Sequence, residues 1–328
     1  MRYLRNLSTD VYYNMAFDEY ALEQLPLDEP LFYLWQNRPA VIIGLNQNAY
    51  AEVNIDYLSQ QGITLARRIT GGGAVYHDLG NLNYTIVGRS SDFERDYPEY
   101  TRYILKALQA LGVQAELSGR NDILVDGRKV SGYAKRVYKD RLMVHGTLMF
   151  DVDIERLTHA LTPSTDKLIS KGIASVKSRV ANLKEYLSDI TNIQELSHAI
   201  EQKLSREYQD KEFLLTEEQQ AKIKSIAENK FSNPDWIYGR APGSTVTYTK
   251  RLPCGNVEVH LQIEKGHIDS IRIGGDFIGN SPTSTIEKLL CGSLYERAAL
   301  QQRLSTINIK CYLDNTTNEA FINLLFNL

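Results

Sequence analysis

The hydrophobic pattern changes along the chain, and each change predicts a different kind of secondary structure. Apolar residues that recur every three to four positions predict amphipathic helices, whereas short apolar runs and strict alternation predict strands. Up to residue 150 the two patterns alternate, which indicates a mixed α and β domain. The predicted helices are 14–25, 53–61 and 100–111, and the predicted strands are 31–35, 41–44, 82–87 and a β-rich stretch over 113–150.

Beyond residue 150 the pattern first loses its period and then divides the chain. Residues 167–179 lack a strong period and carry four basic residues, which favours a loop. Turn-forming residues cluster over 233–243, so we predict one domain over 1–243 and a small α+β domain over 244–328. The further predicted helices are 154–161, 193–208, 216–229, 283–290 and 295–304, and the further strands are 245–249, 257–263 and 267–273.

Composition narrows the class of protein. The 328 residues are 43% hydrophobic and 23% charged with a formal net charge of −3, which gives no electrostatic reason to expect a nucleic-acid partner. No apolar run approaches the ~20 residues of a membrane-spanning helix, and the first residues lack the apolar core of a signal peptide. We therefore expect no membrane association and a cytoplasmic protein. The three cysteines lie in the last quarter of the chain and fit no zinc pattern.

A glycine-rich segment is the first with chemical potential. It reads RRITGGGAVYHD over residues 67–78. Consecutive glycines cost backbone entropy and are kept where side chains would obstruct something, and after two arginines they suit close approach to an anion. A tight turn with solvated arginines is the alternative, and both interpretations stay open. The segment lacks the Gly-Lys-Ser/Thr ending of a Walker A loop.

A second segment, GRNDILVDGRKVSG over residues 119–132, places a carboxylate and a lysine at the starts of neighbouring strands. Asp126-Gly127 is a hairpin turn signal, and across that hairpin Asp122 and Lys129 could share one cleft. The alternative is that Lys129 is a solvent-facing strand lysine, as most lysines are. His145 begins a third segment, HGTLMF, where a lone histidine is more often structural or at the surface.

Taken together, these segments resemble the lipoate–protein ligase A family. The runs RRITGGGAVYHDLGNLNYTIV, GRNDILVDGRKVSG, HGTLMFDVD and KGIASVKSRVANL occur in that family's order and spacing, and WIYGRAP and GGDF resemble its accessory domain. The resemblance covers most of the chain. It implies an α+β fold, in which a biotin/lipoate ligase-like catalytic domain has a mixed β-sheet flanked by helices and precedes a small α+β accessory domain.

The resemblance also implies a reaction in two steps. Lipoate would attack ATP to give lipoyl-AMP and pyrophosphate, and a lysine of a lipoyl carrier domain would then displace AMP and form an amide. The expected partners are lipoyl domains of 2-oxoacid dehydrogenase E2 subunits, the glycine cleavage H protein, or both. ATP and lipoate would be substrates, and Mg²⁺ would accompany the phosphates.

Site residues follow from the matching motifs. The resemblance assigns Lys129 to catalysis, in contact with the acyl carbonyl and the phosphate, and assigns Asp122 to Mg²⁺, although a turn-capping role stays open for this carboxylate. Threonine at position 70 replaces the family's frequent serine and keeps its hydroxyl. The other expected ATP- or lipoyl-AMP-binding residues are Arg68, Gly73, Ala74, Val75, Tyr76, Asn83 and Gly146, with Lys171 and Arg179 in a loop that closes over the adenylate.

Three other functions compete with this hypothesis. An octanoyl or lipoyl transferase of the same fold uses a cysteine of the catalytic domain, and residues 1–253 contain none. A biotin ligase is disfavoured because its glycine- and arginine-rich loop differs from RRITGGGAVYH. A non-catalytic lipoate-binding module is disfavoured by the retained Lys129.

Overall fold

The computed structural model describes residues 1–47, 49–118, 121–161, 178–208, 212–238, 244–277 and 281–326. Lys171 and most of the predicted loop 167–179 lie outside the described residues. Up to residue 238 the elements are β1 (Arg2–Leu4), α1 (Val11–Glu23), β2 (Leu31–Trp35), β3 (Ala40–Ile43), α2 (Ala49–Glu52), α3 (Ile55–Gln61), β4 (Thr64–Arg67), β5 (Val75–His77), β6 (Asn81–Arg89), α4 (Phe93–Ala110), β7 (Ala115–Ser118), β8 (Asp122–Val125), β9 (Arg128–Tyr138), β10 (Arg141–Met149), α5 (Ile154–Leu161), α6 (Ile193–Tyr208), β11 (Glu212–Phe213), α7 (Glu217–Ile226) and α8 (Pro234–Tyr238).

Residues 1–238, the larger part of the molecule, contain two sheets. The main sheet has the strand order β11-β1-β2-β6-β10-β9-β8-β7, and a small sheet has the order β4-β3-β5. In the main sheet β1 runs parallel to β2 and β11, whereas the pairs β2–β6, β6–β10 and β10–β9 are antiparallel. The predicted mixed sheet flanked by helices is confirmed.

Alternation along the main-sheet strands separates two cores. On β6, Leu82, Tyr84 and Ile86 pack into a core shared with α4 and α6. On β2, Tyr33 and Trp35 pack into a second core with α1 and part of the small sheet. Since side chains alternate between the faces of a strand, the residues of β6 between those three face α1 and the small sheet.

The C-terminal part has its own strands and its own core. Its elements are β12 (Ser244–Leu252), β13 (Gly255–Glu264), β14 (His267–Gly275), α9 (Ser284–Leu290), α10 (Arg297–Leu304) and α11 (Asn318–Leu325). The three strands form an antiparallel sheet in sequence order, and a core of residues from Leu252 to Leu325 fills the space between sheet and helices. Within the described ranges, no helix is long and apolar enough to cross a membrane.

Two helices begin earlier than the apolar period predicts, because side-chain caps fix their first turns. Helix α1 begins three residues before the predicted start, where the Asp10 carboxylate accepts a hydrogen bond from the Tyr13 amide at 2.8 Å. Helix α4 begins at Phe93 rather than 100, and Asp92 caps it through the Arg95 amide at 3.1 Å. The predicted helix 216–229 is α7 followed by a π-helical turn over Ala227–Phe231.

Candidate active site

A cavity of about 120 Å³ lies where the main sheet, the small sheet and α1 meet. Its lining includes several residues of the second core's face together with the glycine-rich segment between β4 and β5. Seven of the predicted binding residues line it, namely Arg68, Gly73, Ala74, Val75, Asn83, Lys129 and Gly146. The fold thus brings together segments that are far apart in the sequence.

Lys129 stands at the start of β9 beside a bare stretch of backbone. Its Nζ lies 2.8 Å from Asp122 Oδ1, so the hairpin brings the carboxylate and the lysine together as an ion pair. A Cβ on Gly132 would lie 2.9 Å from that Nζ, which means that glycine leaves the space for the ammonium. The Lys129 amide donates to the Arg179 carbonyl at 2.8 Å, so the strand also places Arg179 next to the lysine.

Arg68 is buried beneath the glycine-rich segment and holds it in shape. Its Nη2 donates to the carbonyls of Gly71 (2.6 Å) and Gly73 (2.8 Å), and its Nη1 donates to that of Ile42 (3.1 Å). Burial lowers the pKa of Arg68 to about 10, so the guanidinium remains charged at neutral pH. In the structure the donors of Arg68 satisfy carbonyls within the protein, two of them in the glycine-rich segment.

The glycine-rich segment also packs closely against the end of β3. A Cβ on Gly44 would lie 2.2 Å from the Gly72 carbonyl oxygen, and Gly72 has a φ of +95°, so both positions favour glycine for steric reasons. Gly73 differs, since a Cβ there would meet no atom within 4 Å and its φ is not positive. Packing within the protein therefore does not account for glycine at position 73.

A chain of buried hydrogen bonds links Arg68 to α1. Arg68 Nε donates to Thr70 Oγ1 at 2.9 Å, and that hydroxyl lies 2.8 Å from His145 Nε2. His145 Nδ1 lies 2.6 Å from Asp18 Oδ2, and the Tyr33 hydroxyl donates to the other Asp18 oxygen at 2.6 Å. The lone histidine of the sequence is thus buried at the cavity and orients the threonine. The Thr70 hydroxyl, which threonine retains where the family often has serine, therefore connects Arg68 to His145.

The Tyr76 side chain does not line the cavity. On β5 its neighbours Val75 and His77 line the cavity, and alternation turns the Tyr76 side chain to the opposite face. There it is buried in a separate core with Val41 and Leu65. The sequence motif includes Tyr76, but its side chain does not reach the cavity.

The remaining expected residues lie beside the cavity or outside the described ranges. Asp122 pairs with Lys129 but does not line the cavity, and the Arg179 carbonyl accepts a hydrogen bond from the Lys129 amide. Lys171 falls outside the described residues. In the part of the chain that is described, no group of three or more His, Cys, Asp or Glu side chains could hold a metal ion.

Several lining residues were missed from the sequence. Trp35 and Thr147 lie on strands whose alternation turns them to the same face as Asn83, and Met15 reaches the cavity from α1. Trp35 follows from the period of β2, but no local pattern shows that α1 crosses this face. His77 belongs to the glycine-rich segment, but no pattern in the sequence indicated a role for it. Burial, with Arg68 and His145 nearby, lowers the pKa of His77 to about 3, so it is neutral.

Comparison with known protein families shows which family this chain belongs to. The family described as lipoyl protein ligase A/B catalytic domain matches residues 10–205, and that described as bacterial lipoate protein ligase C-terminus matches residues 241–325. The chain belongs to the lipoate–protein ligase family. Lipoate-protein ligase LplJ of Bacillus subtilis is 42% identical over 317 residues, which cover 95% of this chain and 96% of that protein.

Solved structures agree with this assignment. The bipartite lipoate protein ligase of Thermoplasma acidophilum, described with its E2 lipoyl domain, has a TM-score of 0.68 and 28% identity, covering 75% of this chain and 98% of that one. Lipoate-protein ligase A bound with ATP has a TM-score of 0.64 and 28% identity, covering 73% and 98%. The predicted biotin/lipoate ligase-like fold is therefore confirmed, and the protein is an enzyme of the lipoate–protein ligase family.

Proposed function

We propose that this ligase activates lipoate with ATP and transfers the lipoyl group to a lysine of a lipoyl carrier domain. The observation that carries the proposal is the position of Lys129 at one cavity that is also bounded by the glycine-rich segment and by apolar side chains. A cation beside bare backbone suits phosphate, and the apolar lining of Met15, Trp35 and Ile42 suits an acyl chain.

In the first step, a lipoate carboxylate oxygen forms a bond to the α-phosphorus of ATP while the bond to pyrophosphate breaks. Two anions must meet, and Lys129 would neutralise both. At about 4 Å and an effective dielectric of ~20, each such contact stabilises by a few kcal/mol. A Cβ at Gly73 would meet no atom within 4 Å, so the glycine leaves open space beside the backbone. That space supports close approach of the nucleotide to the backbone at this position.

In the second step, the neutral amine of the acceptor lysine attacks the acyl carbonyl, the bond to AMP breaks and the nitrogen loses a proton. Lys129 would stabilise the charge that develops on the carbonyl oxygen and on AMP. The Thermoplasma relative described with its E2 lipoyl domain supports lipoyl domains of E2 subunits as acceptors. The glycine cleavage H protein is proposed as a second acceptor on the family resemblance alone.

Mg²⁺ is proposed as the ion that accompanies the phosphates. The Asp122 carboxylate lies beside Lys129, and about a third of the Asp122 side chain is exposed. In phosphate sites Mg²⁺ is often held by one or two carboxylates together with phosphate oxygens. These features fit Mg²⁺ bound between Asp122 and ATP. An Asp122→Asn enzyme whose activity depends on Mg²⁺ as the wild type does would remove this assignment.

The lid formed by Lys171 and Arg179 stays a prediction. The backbone position of Arg179 beside Lys129 supports it. The boundary between residues 243 and 244 and the cytoplasmic location also stay predictions.

A mass-spectrometric assay tests the proposed function. Purified protein, lipoate and a lipoyl domain are incubated with ATP, without ATP, or with an acyl-carrier donor in place of ATP and lipoate. The ligase predicts a lipoyl adduct on the acceptor lysine only with ATP, together with release of AMP and pyrophosphate. An adduct formed equally well without nucleotide would overturn it and support the transferase. That outcome would need a thiol from the C-terminal part, where Cys254 is buried and Cys291 and Cys311 are exposed.

A further inference from the structure

The orientation of the His77 ring follows from a chain of side-chain amides. Asn14 Nδ2 donates to the Gln36 carbonyl at 2.8 Å, which identifies that atom as the nitrogen, and it also lies 2.8 Å from Asn37 Oδ1. Asn37 therefore turns its own Nδ2 toward His77 Nδ1, at 3.1 Å. An amide nitrogen can only donate, so Nδ1 accepts and the proton of the neutral ring resides on Nε2.

This Nε2–H is a buried donor without a partner among the residues that the structure describes. His77 is 3% exposed, its Nε2 has no hydrogen-bond partner, and the ring lines the cavity. Because Nδ1 is directed to Asn37, Nε2 belongs to the opposite edge of the ring. Buried donors are nearly always satisfied, so an unpaired donor that lines a cavity is available to a bound molecule. The lowered pKa agrees with a ring that stays neutral.

His77 and Lys129 both line the cavity, and each adjoins a different strand of the main sheet. Lys129 adjoins Gly132 on β9, whereas the His77 ring contacts that of Trp35 on β2, with centroids 6.0 Å apart. Strands β9, β10, β6 and β2 are consecutive neighbours, so three strand spacings, about 14 Å, separate the strand next to Lys129 from the strand next to His77. That distance is of the order of an extended eight-carbon acid together with the two side chains that meet its ends.

Other polar groups near Trp35 already have partners. The Trp35 indole N–H donates to Thr85 Oγ1 at 3.0 Å, and Asn83 Nδ2 donates to the Trp35 carbonyl at 3.3 Å. Asn83 Oδ1 accepts from Asn81 at 2.8 Å. A ligand tail that reaches Trp35 therefore meets apolar surface and the His77 donor. A dithiolane offers sulfur, a weak acceptor, whereas a plain alkyl end offers none.

We propose that His77 Nε2–H donates to a sulfur of the dithiolane ring, and that His77 thereby makes the site prefer lipoate to octanoate. The proposal rests on the proposed function, since it requires the carboxylate of the acid to lie at Lys129. The N–H of His77 would then recognise the sulfur through a polar contact, which the apolar residues around it do not provide.

Two variants isolate the donor. His77→Gln places an amide N–H near the position of Nε2, and His77→Leu has no donor. Both give up the Asn37 contact through Nδ1, so they share that defect and differ at the donor. The measurement is the ratio of kcat/KM for lipoate to that for octanoate in ATP–pyrophosphate exchange, with binding of each acid measured calorimetrically without ATP.

We expect the ratio to fall about threefold to tenfold in His77→Leu, as for the loss of one modest hydrogen bond, and to stay within twofold of wild type in His77→Gln. Equal ratios in wild type and His77→Leu would overturn the role of His77. If the wild-type protein exchanged pyrophosphate with neither acid, the proposed function itself would fail, so the two failures are distinguishable.

Discussion

Lys129 is the residue on which the proposed chemistry depends most. Its side chain is 37% exposed and is paired with Asp122 on the rim of the cavity rather than buried in a core. Lys129→Met should therefore fold, while ATP–pyrophosphate exchange should fall by roughly 10²–10³-fold, the usual cost of removing one transition-state charge contact. Exchange kinetics at saturating ATP and lipoate measure this loss.

The matched control for that variant is Lys135→Met. Lys135 is on the same strand, but its Nζ lies 4.1 Å from the centre of the Tyr97 ring and it does not line the cavity. Exchange by the control should stay close to that of the wild type. Comparable losses in both variants would show that the effect comes from the strand's general charge and not from the position of Lys129.

His77 should also leave a signature in acid. An unfolded histidine takes up a proton near pH 6.5, whereas the folded ring has a pKa of about 3, so between these values the unfolded state binds more protons. Stability is therefore lost as the pH falls. Between pH 7.5 and 5 the wild type should lose about 2 kcal/mol more than His77→Gln, measured by urea unfolding. Parallel pH profiles would contradict a buried neutral His77.

At the scale of elements, the three consecutive glycines of the glycine-rich segment have no side chains to fix their shape. The hydrogen-bonded chain from Asp18 through His145 and Thr70 to Arg68 fixes it. Thr70→Val removes the hydroxyl at nearly constant volume and leaves His145 Nε2 without its partner. We expect a loss of about 1–3 kcal/mol of unfolding free energy and a several-fold higher KM for ATP. Thr70→Ser keeps the hydroxyl and should resemble the wild type, and identical behaviour of both variants would refute this role.

The sequence predicted elements where one strong period governs them. Strand β2 was found because it is a short apolar run that is buried along its whole length, and β13 and β14 were found because apolar and polar residues alternate along them. The sequence did not predict β1, β4 or β5, which have only three or four residues and, unlike the equally short β3, are not continuous apolar runs. The start of α4 was missed because polar residues fill its first turns and Asp92, not apolar contact, begins it.

The candidate site was predictable only where its residues lie within contiguous motifs. Lys129, Arg68 and Gly73 belong to such motifs. Trp35 and Met15 do not, because they meet the cavity through the order of strands in the sheet and the path of α1, which are tertiary properties. The direction of a motif side chain was equally hidden, as Tyr76 illustrates.

For the whole molecule, the sequence predicted two domains but not the contact that joins them. Asp56 is in the first turn of α3 and is 4% exposed, and its Oδ2 accepts from Arg297 Nη2 at the start of α10, at 2.9 Å. The same Nη2 donates to Asn323 at 2.8 Å, and the guanidinium lies 5.6 Å from the centre of the Phe326 ring. The arginine thus ties the C-terminal core to a buried carboxylate of the larger part.

Replacing Arg297 should lower the free energy of unfolding, because it leaves the buried Asp56 carboxylate without a partner of opposite charge. Arg297→Met leaves Asp56 buried without its counter-charge, and the free energy of unfolding should fall by about 3 kcal/mol. Asp56→Asn combined with Arg297→Met removes the stranded charge and should recover part of the loss, so a double-mutant cycle by urea unfolding measures the coupling between the two parts. If Arg297→Met unfolds as the wild type does, the ion pair is not what holds the C-terminal part in place, and the cause would lie in the apolar contacts around Tyr238 and Gly266.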